Sequence, residues 1–168
     1  SLDIRQESRK HEALVEEIIL HKAGQPALDA YRLKGIHAKM EYLHSCYWNI
    51  DAFITTDATS TDIIQSMQAI GKIQATNGTK ACHRYVISNS RHALDVFSIL
   101  ILMKWIHGHD QQNIDIVPLF ESIDDLGTAA DVMQELYSFG PYASHLKVRG
   151  QVQTVMLGFS DGTKDGGY

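Results

Sequence analysis

A chain of 168 residues with 44% hydrophobic and 21% charged residues is long enough to bury one core beneath a polar surface. A formal net charge of −5, with no lysine- and arginine-rich run, excludes non-specific nucleic-acid binding. The longest apolar stretch, residues 96–103, is far short of the ~20 residues a membrane span needs, and no basic-then-apolar signal opens the chain. Cys46 and Cys82 are the only cysteines and form no CxxC pair, so neither a disulfide framework nor a thiolate zinc site is expected. The expectation is a soluble, mildly acidic, cytoplasmic α/β chain.

Residues 2–6 alternate apolar and polar side chains and predict a short strand. Ser8 is placed to cap a helix on which Leu14, Val15, Ile18 and Ile19 recur at helical spacing. His21 and Lys22 fall in its last turn, Gly24 stands where a left-handed terminating residue belongs, and Pro26 follows. From about Pro26 to Asn49 the helical pattern continues through Leu28, Tyr31, Leu33, Ile36, Met40, Leu43 and Tyr47.

A polar, capping-rich loop over residues 55–62 precedes a helix bearing Ile63, Ile64, Met67, Ile70 and Ile73, which Asn77-Gly78 closes. Residues 84–88 read as a buried strand, with Asn89 or Ser90 capping a helix that runs to about His107. A polar loop over 108–113 leads into an apolar strand, 114–120, closed by Glu121. Residues 124–137 and 141–148 predict helices. Gly150 then precedes a last apolar strand, 154–160, read as buried and closed by Asp161.

Strand–helix alternation of this kind favours parallel strands joined by right-handed crossovers. Four strands are enough for a doubly wound sheet, whereas an eight-stranded barrel of ~250 residues needs about twice this chain. The stop at Tyr168, in a glycine-rich loop beyond a polar strand end, favours the barrel fragment. The expected fold class is therefore α/β: a helix-rich part of a (β/α)8 TIM-type barrel, with about four parallel strands and no second domain in residues 1–168.

Glu121 and Asp161 both close apolar strands, where α/β proteins place their ligand crevices. Two acids there, with Lys164 three residues after the second, point to a hard divalent cation, magnesium or manganese, beside an anionic substrate. The competing reading for each acid is a helix cap or first-turn carboxylate. Lys164 competes with an ordinary surface lysine. Arg5, near the end of the first strand, is either a phosphate or carboxylate clamp or a salt-bridge partner. Asp124 and Asp125 most simply start a helix, and Asp165 solvates the terminal loop or holds Lys164. The nine histidines, including the His107-Gly108-His109 pair, form no catalytic motif. Neither HExxH, GxSxG nor a P-loop occurs.

Four segments occur in the order seen in the phosphoenolpyruvate carboxylase family, which the chain resembles over nearly its whole length. They are Asp3-Ile4-Arg5-Gln6-Glu7-Ser8, Tyr85-Val86-Ile87-Ser88, the run Val117-Pro118-Leu119-Phe120-Glu121-Ser122-Ile123-Asp124-Asp125-Leu126, and the run from Gly158 through Ser160-Asp161-Gly162 and Lys164 to Gly167. The likeness is weakest from about Gly24 to Lys80. Several members carry Tyr-Ser-Asp-Ser where this chain has Phe159-Ser160-Asp161-Gly162, a change that keeps the acid.

The resemblance implies a central section, roughly half the barrel strands, of a much longer enzyme. It implies that Glu121 and Asp161 bind magnesium or manganese, and that Arg5 and Lys164 lie in the active site. The implied reaction joins phosphoenolpyruvate and bicarbonate to give oxaloacetate and phosphate, by way of carboxyphosphate and the enolate of pyruvate. Family members are typically homotetrameric and need neither nucleic acid nor membrane. The family's catalytic histidine, in a Gly-His-Pro-Thr segment, and its glycine- and arginine-rich loop are absent from these 168 residues. The isolated chain is therefore expected to be inactive and, with strand edges and apolar helix faces uncovered, to self-associate or rearrange. Two alternatives stand beside this reading. One is another metal-dependent barrel enzyme acting on phosphoenolpyruvate or pyruvate; the other is a non-catalytic ligand-binding module.

Overall fold

The computed structural model describes residues 3–108 and 112–158. Four strands, β1 (Asp3–Glu7), β2 (Arg84–Ser88), β3 (Asp115–Phe120) and β4 (Met156–Leu157), form a parallel sheet in chain order. Around them lie α1 (Ser8–Ala23), α2 (Gln25–Arg32), α3 (Ile36–Ser45), α4 (Ala58–Asn77), α5 (Ala93–His107), α6 (Ile123–Ser138) and α7 (Gly140–Val148). The protein is thus α/β and helix-rich, with a four-stranded parallel sheet. No strand-order reversal of the kind that marks a doubly wound sheet occurs among the four.

Register sets the two faces of the sheet. Ile4, Tyr85 and Ile116 stand side by side, and Arg5, Val86 and Val117 form the next row. Side chains alternate across a strand, so these rows belong to opposite faces. Tyr85, Ile87, Ile116 and Phe120 join the main core with the helices, whereas Val86, Val117 and Leu119 form a small separate cluster. The helices' buried residues share one core with Tyr85, Ile87, Ile116 and Phe120, which marks that face of the sheet as the helix-covered one. Arg5 projects from the other.

α5 is the centre of the helical layer, with twelve of its fifteen residues buried. Such a helix has no polar stripe, which is how a helix wrapped by others reads. Its Trp105 donates to the Cys46 carbonyl at 3.0 Å, tying it to the end of α3. Both cysteines are buried, and neither is in a disulfide. No helix among the described residues is long and apolar enough to cross a membrane.

The chain departs from its sequence pattern in four places. The long helical stretch from Pro26 breaks at residues 33–35, where Gly35 starts α3, and ends at Ser45 instead of Asn49. Ser8 does not cap α1: β1 pairs up to Glu7, so the helix begins without an intervening residue. The Ser8 hydroxyl donates instead to the Asn89 carbonyl at 2.8 Å. Neither Asn89 nor Ser90 caps α5. Asn89 has φ 56°, Ser90 donates to the Ile87 carbonyl, and the Asp95 carboxylate accepts from the backbone N–H of Arg91 and His92.

The last departure matters most for function. Val155, Met156 and Leu157 were expected to be buried, yet they are 37%, 42% and 51% exposed. β4 pairs only with Leu119 and Phe120, and no strand covers its far side among the described residues. Just before it, the Gln153 side chain donates to the Ile116 carbonyl at 2.8 Å and accepts from the Tyr142 hydroxyl at 2.7 Å. A side-chain amide there does the work of a strand ladder.

Candidate active site

Arg5 and Glu121 come from strands separated by β2, yet their side chains form an ion pair between Arg5 Nη2 and Glu121 Oε1. The strand period places Arg5 on the face opposite the helices, and Glu121 follows β3 directly, where its strand ends. The arginine side chain is 59% exposed and that of Glu121 22% exposed. Of the two readings open to Arg5, the structure realises a salt bridge whose partner is the proposed cation ligand.

Glu121 is not spent on the helix that follows. α6 is capped by Ser122, whose side chain accepts from Asp125 N–H at 3.0 Å while Asp125 accepts from Ser122 N–H at 3.2 Å. This reciprocal capping box satisfies the first turn. The cap reading of Glu121 therefore gives way; Asp124 and Asp125 both lie in the first turn of α6, as expected, and Asp125 closes the cap.

The strand ends are stitched together around the pair. Ser8 bonds Asn89, Asn89 Nδ2 donates to Glu7 Oε1 at 3.3 Å, and the Ser88 hydroxyl reaches the Gln6 carbonyl at 3.4 Å. His11 in α1 bonds the Tyr85 hydroxyl at 2.7 Å across the buried face of β2. Burial lowers the His11 pKa from 6.5 to about 4 and raises that of Tyr85, so this is a bond between neutral groups. Sequence reasoning missed Asn89 as a linker, although its tolerance of left-handed backbone was a signal.

Gly158, the last described residue of the β4 segment, lies against Glu121. A Cβ there would meet Glu121 Cγ at 3.0 Å. Asp161 and Lys164 lie outside the described residues. Two of the four expected site residues are therefore brought together here.

Glu121 suits a hard cation by its donor chemistry, an anionic carboxylate already facing a positive group. Among the described residues no group of three or more potential ligands gathers. Magnesium sites commonly use one or two carboxylates, completed by water and substrate oxygens. Elsewhere, a groove of about 480 Å³ lies among the helices, lined by His44, Tyr47, Phe97 and Lys104, and shares no residue with the Arg5–Glu121 pair. At the opposite strand ends Arg149 holds Asp115 at 2.7 Å, with His83 3.9 Å away, which fastens α7 to β3. His107 ends α5 with Nε2 3.1 Å from the Met67 carbonyl, and His109 lies outside the described residues.

Comparison with known proteins agrees with the motifs. The family model for phosphoenolpyruvate carboxylase matches residues 1–168. Similar proteins include the phosphoenolpyruvate carboxylase of Corynebacterium diphtheriae, 34% identical over all of this chain and 19% of its own length. That of Gloeobacter violaceus is 31% identical over 99% of the chain and 18% of its own length. That of Nitrosomonas eutropha is 32% identical over all of the chain and 19% of its own. The chain therefore spans less than a fifth of these curated relatives. With a match from first residue to last, this chain belongs to the phosphoenolpyruvate carboxylase family.

Proposed function

We propose that the chain is the cation-binding central section of a longer phosphoenolpyruvate carboxylase, a cytoplasmic homo-oligomer. Within it, the four strands form part of a (β/α)8 TIM-type barrel, and residues 1–168 contain no second domain. The observation that carries the reading is the Arg5–Glu121 pair, two opposite charges from strands on either side of β2, meeting towards the carboxyl ends of a parallel sheet. Barrels of this type hold their ligands at that end.

The reaction joins phosphoenolpyruvate and bicarbonate into oxaloacetate and phosphate. Glu121 and Asp161 would hold magnesium or manganese, which would supply Lewis-acid polarisation of substrate oxygens. Arg5 has five N–H donors in a fixed plane, so it can keep one on Glu121 and turn others towards a phosphate or carboxylate. Lys164 adds a compact positive charge for the same anion. Each well-placed electrostatic contact of this kind is worth ~3–4 kcal/mol of barrier. Without the histidine and arginine segments, the isolated chain is inactive.

The test is oxaloacetate formation by the full-length protein, which is expected to require both bicarbonate and a divalent cation. Turnover of phosphoenolpyruvate without bicarbonate would move the assignment to another phosphoenolpyruvate or pyruvate enzyme. Oxaloacetate made by the isolated 168-residue chain would overturn its predicted inactivity.

A further inference from the structure

β4 approaches Glu121 through a glycine. A Cβ built on Gly158 would stand 3.0 Å from Glu121 Cγ, 3.3 Å from its Cα and 3.4 Å from its Cβ. Carbon atoms in good contact sit roughly 3.5–4.0 Å apart, so a methyl group here presses on the whole root of the Glu121 side chain. Moving β4 away would loosen its pairing with the end of β3. Gly158 N–H donates to the Phe120 carbonyl at 2.9 Å, Leu157 pairs with Phe120, and Phe120 is fully buried. On its other side Glu121 is followed at once by Ser122, locked to Asp125. The tightest of the three contacts, on Cγ, is the one a rotation of the Glu121 side chain relieves, and a turned side chain no longer presents its carboxylate to Arg5 as it does here.

The requirement is for space. Gly24, Gly78, Gly108 and Gly150 have positive φ, but Gly158 does not, so an alanine could take its backbone conformation without strain. We infer that Gly158 is a positioning residue for the Glu121 carboxylate. Having no side chain, it lets β4 close on the end of β3 and fixes the direction in which Glu121 presents its oxygens. The inference rests on the proposed role of Glu121 as a cation ligand.

Binding of Mn2+ to the full-length protein, read from the electron paramagnetic resonance signal of free Mn2+, tests both ideas separately. Wild type, Gly158→Ala and Glu121→Gln are compared. Gly158→Ala is expected to weaken Mn2+ binding roughly ten- to a hundred-fold, as loss of a ligand-orienting neighbour does. The half-saturating Mn2+ concentration for activity should rise in parallel, with kcat at saturating Mn2+ far less affected. Wild-type affinity in Gly158→Ala, alongside lost affinity in Glu121→Gln, would overturn the positioning role alone. Wild-type affinity in Glu121→Gln would overturn the ligand role and this inference with it. If Gly158→Ala does not fold by itself, pairing it with Glu121→Gly removes the crowded Cγ and Cβ together. Recovered folding then supports the steric contact, and continued failure overturns it.

Discussion

β3 has six residues, five of them buried, held between β2 and β4; β4 has two, both exposed, held on one side only among the described residues. Their sequences are nevertheless alike, apolar runs closed by a carboxylate. Sequence hydrophobicity reports what a strand can bury. Neighbours decide what it does bury, and among the described residues β4 has a neighbour on a single edge. The rigid strand presents Glu121 from a packed base, while the segment before β4 is held by Gln153 and approaches through Gly158.

The contrast is broken most directly by truncation. Phe120→Ala should cost ~3–5 kcal/mol in urea denaturation, because the ring is fully buried. Leu157→Ala should stay within about 0.5 kcal/mol, as exposed sites usually do. A comparable loss at both positions would show that β4 is covered in the folded protein.

The charged pair gives the next effect. Glu121→Gln and Arg5→Ala should each lower carboxylation by the full-length protein by roughly 10²–10³-fold. The cost in stability of Arg5→Ala should stay below about 1 kcal/mol, since an exposed ion pair contributes little. A large loss of stability with unchanged turnover would make the pair structural.

His11 sharpens the comparison through pH. Its pKa is about 4 when folded against 6.5 for an ordinary histidine, so the unfolded chain takes up its proton first on acidification. The stability tied to the neutral ring is complete above pH 6.5 and is lost as pH falls towards 4, by at most about 3 kcal/mol. Burial of His145 acts in the same direction, and that of Asp95 in the opposite one. Denaturation midpoints of His11→Phe at pH 7 and pH 5 should differ less than those of wild type.

Gly127→Ala supplies the smallest effect and the control for Gly158. Gly127 lies inside α6 with open space around its Cβ position, so alanine should stabilise the protein by up to about 1 kcal/mol and leave Mn2+ binding unchanged.

Much of the fold was legible because its signals are local. The apolar run of β3, the glycine ends of α1 and α4 at φ 86° and 84°, and the acidic start of α6 each depend on a few consecutive residues. Glu121 and Arg5 were legible as candidates because carboxylates and guanidinium groups at strand ends are chemically conspicuous. What a side chain meets was not legible wherever the partner is distant in sequence. Ser8 reads as a cap by local rules, yet its hydroxyl goes to Asn89, 81 residues away. The break between α2 and α3 was hidden by a helical period that persists across Gly35.

By itself the sequence determined the alternation of strand and helix, the burial of β2 and β3, the family, and the chemical type of each candidate site residue. These follow from periodicity, backbone preference and functional groups, which travel with the residue. Only the tertiary structure decided that Arg5 and Glu121 meet across β2, that capping leaves Glu121 to that pairing, and that Gly158 must be small. Each is a distance between residues far apart in the chain, set by register and packing.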